Sequence, residues 1–137
     1  MTGALARTAC AVLLTLFAGA GHAAGVNDGV YAAAQAERGR ATYEAECARC
    51  HGATLAGGGG GPALSGPFWT AWEGRSVGEL FNLTRKSMPA DGPGRLSDPE
   101  YADIIAYMLS ANRYPAGQAA LPAEVGALKA IGITRRQ

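Results

Sequence analysis

The stretch YEAECARCHGATL, Tyr43 to Leu55, carries two cysteines, Cys47 and Cys50, followed at once by a histidine, His51. Three chemistries use such a cluster: thiol–disulfide exchange, a zinc site, and covalent attachment of a haem. The choice rests on which other ligands the chain offers and on where the chain resides.

Residues 1–23 bear on both. MTGALARTACAVLLTLFAGAGHAAG has Arg7 in a basic start, an apolar run from Ala9 to Ala18, and then small residues. This is the layout of a secretory signal peptide. The run is too short for a membrane span, which takes about 20 apolar residues. Gly21 and Ala23 fit the small-x-small rule, so cleavage is expected after Ala23, leaving residues 24–137 as the mature chain. Cys10 precedes most of the apolar run and is misplaced for a lipid-modified first residue.

Cleavage removes Cys10, His22 and Arg7. One cysteine pair and one histidine are left, with equal numbers of basic and acidic side chains. A neutral chain argues against a nucleic-acid partner, which calls for a basic face. No second hydrophobic segment follows, so no membrane span is expected after cleavage, and the compartment expected is a periplasm.

Zinc takes four ligands, and the mature chain gathers three near His51 with no second cluster. A redox C-x-x-C belongs at a helix start near a βαβ pattern, whereas this pair ends a helical pattern. A plain disulfide here would close a tiny loop and stabilise little. Haem attachment accounts for every part of the motif. Each thiol adds across one vinyl group of the porphyrin. On a helix Cys47 and Cys50 are i, i+3 and His51 is i+4, so all three face one way, with His51 beneath the iron. The other ring nitrogen of a ligating histidine needs an acceptor. The Pro62 carbonyl is the expected one, and Leu64 is expected to pack on the porphyrin face.

The second axial position has few claimants: Lys86, Lys129, Met88 and Met108. Met108 sits on an apolar helix face, where methionine usually fills core space. Met88 lies in a loop, between Ser87 and Pro89, and is the expected ligand. A thioether favours ferrous iron and raises the potential. With both axial places filled, no site is left for dioxygen or peroxide. If Met88 is absent from the iron or labile, the alternative is a haem enzyme or a gas- or peroxide-binding sensor.

Helical periodicity is expected over 30–50, through Ala36, Gly39, Tyr43, Cys47 and Cys50. Ser76 and Glu79 have capping-box spacing and start a helix over 76–86; Ser97 and Glu100 start another over 97–112. The segment His51–Trp69, with five consecutive glycines, reads as a loop. A short helix is expected near 122–131. No period-2 strand pattern or internal repeat is seen, so the fold class is all-α.

With these elements in place, the chain resembles a class I c-type cytochrome. The resemblance rests on CARCH (47–51), GPAL (61–64), SMP (87–89) and LSDPEYADIIAYML (96–109), with Gly39 and Tyr107 at the crossing of the first and last helices. It covers residues 30–112. It implies three main helices and loops wrapped around one covalently attached haem c, with residues 113–137 a C-terminal extension of the domain. FWTAWEGRSVGELFNLTRKSMPADGPGRLSDPEYADIIAYMLSANRYPAG (68–117) and LPAEVGALKAI (121–131) are further similar to small periplasmic cytochromes associated with quinoprotein (PQQ-dependent) alcohol dehydrogenases. That subgroup implies Phe68 and Trp72 as haem neighbours. It also implies a redox role rather than an enzymatic one, with a periplasmic dehydrogenase as donor and an oxidase or another cytochrome as acceptor. The expected protein is a monomer or a subunit of a dehydrogenase complex, and docks through an apolar patch at the exposed haem edge.

Overall fold

In a computed structural model of the protein, residues 24–137 are described; the signal-peptide reading of residues 1–23 lies outside them. Six helices occur among the described residues: α1 (Ala33–Glu46), α2 (Ala48–His51), α3 (Pro67–Trp72), α4 (Val77–Ser87), α5 (Asp98–Ala111) and α6 (Val125–Lys129). Only isolated bridges, and no strand, are found there. The chain is therefore all-α, with α1, α4 and α5 as its long elements.

The N-terminal ends of α4 and α5 follow from local chemistry. At α4 the Ser76 hydroxyl accepts from Glu79 N at 3.2 Å, and Glu79 Oε2 accepts from Ser76 N at 2.9 Å. At α5, Glu100 Oε2 accepts from Ser97 N at 2.7 Å. Each bond satisfies a donor that the first turn would otherwise leave unpaired.

The frame of the molecule is the packing of α1 on α5. Ala36, Gly39 and Tyr43 are the buried stripe of α1, with Gln35 beside them. Gly39 is the point of closest approach: a Cβ built there would run into the carbonyl oxygen of Asp103 on α5. Arg38 then forks onto the Asp103 carboxylate at 2.9 and 3.2 Å. One turn along, the Tyr43 and Tyr107 rings sit 5.2 Å apart.

Two expectations are corrected. The first helix does not run unbroken over 30–50. It stops at Glu46, and Cys47 (φ −122°, ψ −36°) separates it from α2. Hydrogen bonding passes through the break, because Cys47 N donates to Tyr43 O while Cys47 O accepts from Cys50 N and His51 N. The motif thus keeps one turn of helical geometry while changing direction. The segment His51–Trp69 is not all loop either. Gly66 at φ +56° turns the chain, and Pro67 opens α3, which buries Trp69 and Trp72. A helix of six residues is too short to show a periodicity.

Residues 113–137 share the same core. Tyr114, Leu121, Leu128, Ile131 and Ile133 are buried. Gln35 donates to Leu121 O and accepts from Leu121 N, so both of its buried amide atoms are satisfied. Gly132 N bonds to Ala24 O, Val26 N to Gly132 O and Ile133 N to Arg75 O. Residues 131–133 therefore close over residues 24–26 and the start of α4.

The crossing gives a direct test. Gly39→Ala should force α1 and α5 apart and cost about 3 kcal/mol in denaturant unfolding of the haem-loaded protein. Gly126→Ala in α6, whose Cβ would meet nothing within 4 Å, should leave stability unchanged or raise it by up to about 1 kcal/mol.

Candidate functional site

Beside the α1–α5 frame lies a cavity of about 380 Å³, mostly apolar in its lining. That is the size of ordinary small-molecule pockets. Cys47, Cys50, His51 and Met88 all line it. Leu64, Phe68, Leu80 and Ile104 supply apolar wall.

The two thiols are free and half-buried. Burial, with Glu46 next to it, pushes the Cys47 thiol up to about 11. A thiol used for exchange is held low so that thiolate forms, the opposite of the direction at Cys47. Among the described residues, no group of three or more His, Cys, Asp and Glu side chains is placed to hold a metal ion.

His51 is 8% exposed. Its Nδ1 lies 2.8 Å from the Pro62 carbonyl oxygen. A carbonyl only accepts, so Nδ1 carries the proton and Nε2 keeps its lone pair for a metal. The loop reaches His51 because of its glycines. Gly61 N donates to Cys50 O at 3.0 Å, and a Cβ on Gly61 would meet Cys50 O at 2.7 Å and His51 Nδ1 at 3.0 Å. A side chain there would hold the Pro62 carbonyl away from the ring.

Met88 is the residue that ends α4, with its N–H bonded to Thr84 O at 2.8 Å. Its carbonyl accepts from the Tyr101 hydroxyl of α5 at 2.7 Å. The backbone of the loop is thus pinned on both sides of the Met88 side chain. Met108 also lines the cavity, but it is 3% exposed and packed within the core cluster. Lys86 and Lys129 are exposed and do not line the cavity.

Pro62, Leu64 and Phe68 are in the lining, and Trp72 is not. Trp72 is buried one layer back, its ring 6.1 Å from Phe68 and capped by the Arg75 guanidinium at 4.0 Å. The α3 helix sends Phe68 to the cavity and turns Trp72 away from it, which corrects the reading of Trp72 as a haem neighbour. Trp69 stacks between Phe68 and Tyr114, and its Nε1 is a buried polar atom without a partner.

Several positioning groups carry no sequence motif. Tyr101 looks like one more apolar residue of α5, yet a buried tyrosine hydroxyl needs a partner, and that need was the available signal. Glu46, Arg49, Asp91 and Arg95 form a chain of ion pairs at the cavity rim: Arg49–Asp91 and Arg95–Asp91, each 2.9 Å, and Arg95–Glu46. Arg49–Asp91 and Arg95–Glu46 join residues 42 and 49 positions apart, which no local pattern reveals.

The residues fit a covalent haem on the chemistry of the donor set. Two thiols stand in an apolar cavity, an imidazole is fixed in the ligating tautomer, and a thioether lies in the same lining. The comparisons agree. The family model described as cytochrome C oxidase, cbb3-type, subunit III matches residues 34–108, more than half of the chain. The match spans Cys47, Cys50, His51 and Met88. No curated protein matches the chain, and no solved structure matches it. This chain belongs to that c-type cytochrome family, with the class I cytochrome c fold, and is an electron carrier that binds haem c covalently through the motif at Cys47, Cys50 and His51.

Proposed function

We propose that the protein is a periplasmic monohaem carrier that takes single electrons from a periplasmic dehydrogenase, of the quinoprotein kind, and passes them to an oxidase or another cytochrome. The observation that carries the reading is the gathering of two thiols, the tethered His51 and Met88 in one apolar cavity. Residues 1–23 support export. Among the described residues no helix is long and apolar enough to cross a membrane. An oxidase as acceptor accords with the description of the matched family. The donor rests on the resemblance of 68–117 and 121–131. The chain acts as a monomer or as a subunit of such a dehydrogenase.

When bound, haem supplies reversible one-electron oxidation and reduction of iron. The chain's own residues do the rest. Each cysteine S–H adds across a vinyl double bond, sulfur to carbon and hydrogen to the neighbouring carbon, giving two thioethers with nothing released. The Nδ1–H bond to Pro62 leaves Nε2 of His51 free to hold the iron and would raise its basicity. Met88 would offer the iron a soft thioether, which favours the ferrous state. Apolar walls exclude water and keep the charge change poorly solvated. With two ligands fixed, little rearranges between oxidation states.

The surface around the cavity suits a docking site without strong charge. Leu83, at 53% exposure, is on the lining and faces solvent. The rim charges neutralise one another in the Glu46–Arg95–Asp91–Arg49 series.

Three measurements test the proposal. Oxidised protein should show the weak red band of a methionine–ferric bond, and Met88→Ala should lose it and bind carbon monoxide readily once reduced. A wild type without the band that binds carbon monoxide freely would instead be an enzyme or sensor. Cys47→Ala combined with Cys50→Ala should give a chain from which denaturing extraction removes all haem, with helical circular dichroism largely lost. Electron transfer from a quinoprotein dehydrogenase should slow by no more than about threefold between low and physiological salt, because apolar docking is weakly screened; a tenfold fall would show charge-steered docking.

A further inference from the structure

We propose that Asp91 is a positioning residue: its carboxylate, shared by Arg49 and Arg95, latches the Met88 loop to the haem-attachment segment. The inference rests on the reading of Met88 as an iron ligand.

The geometry is specific. Asp91 lies three residues beyond Met88, in the loop that Gly92 N closes onto Pro89 O at 2.9 Å. Its Oδ2 accepts from Arg49 Nη2 at 2.9 Å and its Oδ1 from Arg95 Nη1 at 2.9 Å. Arg95 turns its remaining nitrogens to Glu46, with Nε at 3.0 Å from Oε2. Glu46 immediately precedes Cys47, and Arg49 immediately precedes Cys50. Asp91 is thus bonded directly to one residue adjoining a haem-binding cysteine, and through Arg95 to the other. The loop bearing Met88 and the segment bearing His51 are tied to each other across the cavity rim.

The latch acts on ligand exchange. For an external ligand to replace the Met88 sulfur on ferric iron, the iron–sulfur bond breaks, an iron–nitrogen bond forms, and the side chain must withdraw. Tyr101 holds the Met88 carbonyl from the α5 side. Asp91 holds the loop from the opposite flank of the chain, that of the attachment motif. Single exposed ion pairs hold little, but a carboxylate gripped by two guanidiniums, one of them anchored again, forms a network. These four side chains are partly exposed, so salt should loosen the latch.

The test is titration of ferric holoprotein with imidazole, followed by loss of the red methionine–iron band. Asp91→Asn keeps the shape and removes the charge. It should bind imidazole about two- to fivefold more tightly than wild type, with covalent haem content unchanged. Asp91→Glu should recover part of the difference. Arg49→Gln, outside the loop, should shift affinity in the same direction by less. Added salt should tighten imidazole binding to wild type towards the Asp91→Asn value and leave Asp91→Asn nearly unmoved. Equal affinities for wild type, Asp91→Asn and Arg49→Gln, or equal salt shifts in wild type and Asp91→Asn, would overturn the latch. A wild type that lacks the red band would instead overturn the Met88 ligand itself.

Discussion

The contact of Gly39 with the backbone of Asp103 sets the position of almost everything else. With no Cβ between them, α1 and α5 approach until Arg38 can fork onto Asp103 and Tyr43 can meet Tyr107. The C-terminal end of α1 then delivers Cys47, and the N-terminal end of α5 receives the chain from the Met88 loop. Tyr43 and Tyr101, one on each helix, reach out to hold the two halves of the site: Tyr43 donates to Gly52 O just past His51, and Tyr101 to Met88 O. A wider crossing would move both hydroxyls and both halves of the cavity.

The site combines a dry interior with a polar frame. Its walls are apolar, and the groups that touch the ligand residues directly are main-chain carbonyls and a tyrosine hydroxyl, which carry no net charge. Charged residues are confined to the rim and cancel in pairs. A redox centre in such surroundings would gain or lose one charge with few mobile dipoles nearby to respond. The same economy explains the glycine run. It brings a carbonyl to His51 without introducing a further side chain into the space.

The sequence disclosed what is local and periodic. CARCH placed both thiols and the imidazole because the spacing is that of one helical turn, and the turn survives the break at Cys47. Ser76 and Ser97 marked helix starts because the capping partner lies three residues away. Pro62 was legible as the acceptor for His51 because a ligating imidazole needs one and a Gly-Pro loop follows at once. The break at Cys47, the helix at Pro67 and the outward turn of Trp72 were not legible. They depend on how short segments are forced around the cavity, which leaves no repeat in the residue pattern. Asp91 and Arg95 read as loop charges, since their partners are set by the tertiary fold alone.

The closure of the chain end also sets an order of events. Asn27 bonds to Thr134, 107 positions away, and Gly132 pairs with Ala24 and Val26. These contacts cannot form until residues 132–134 are available to pair. The tertiary bonds that close Val26, Tyr31 and Gln35 into the core therefore come late, and such distant pairings are slow to find. Until then both cysteines sit in an unfinished domain. Closure of the core around Val26 and Gln35 thus waits on residues 121–134, far downstream of the attachment motif.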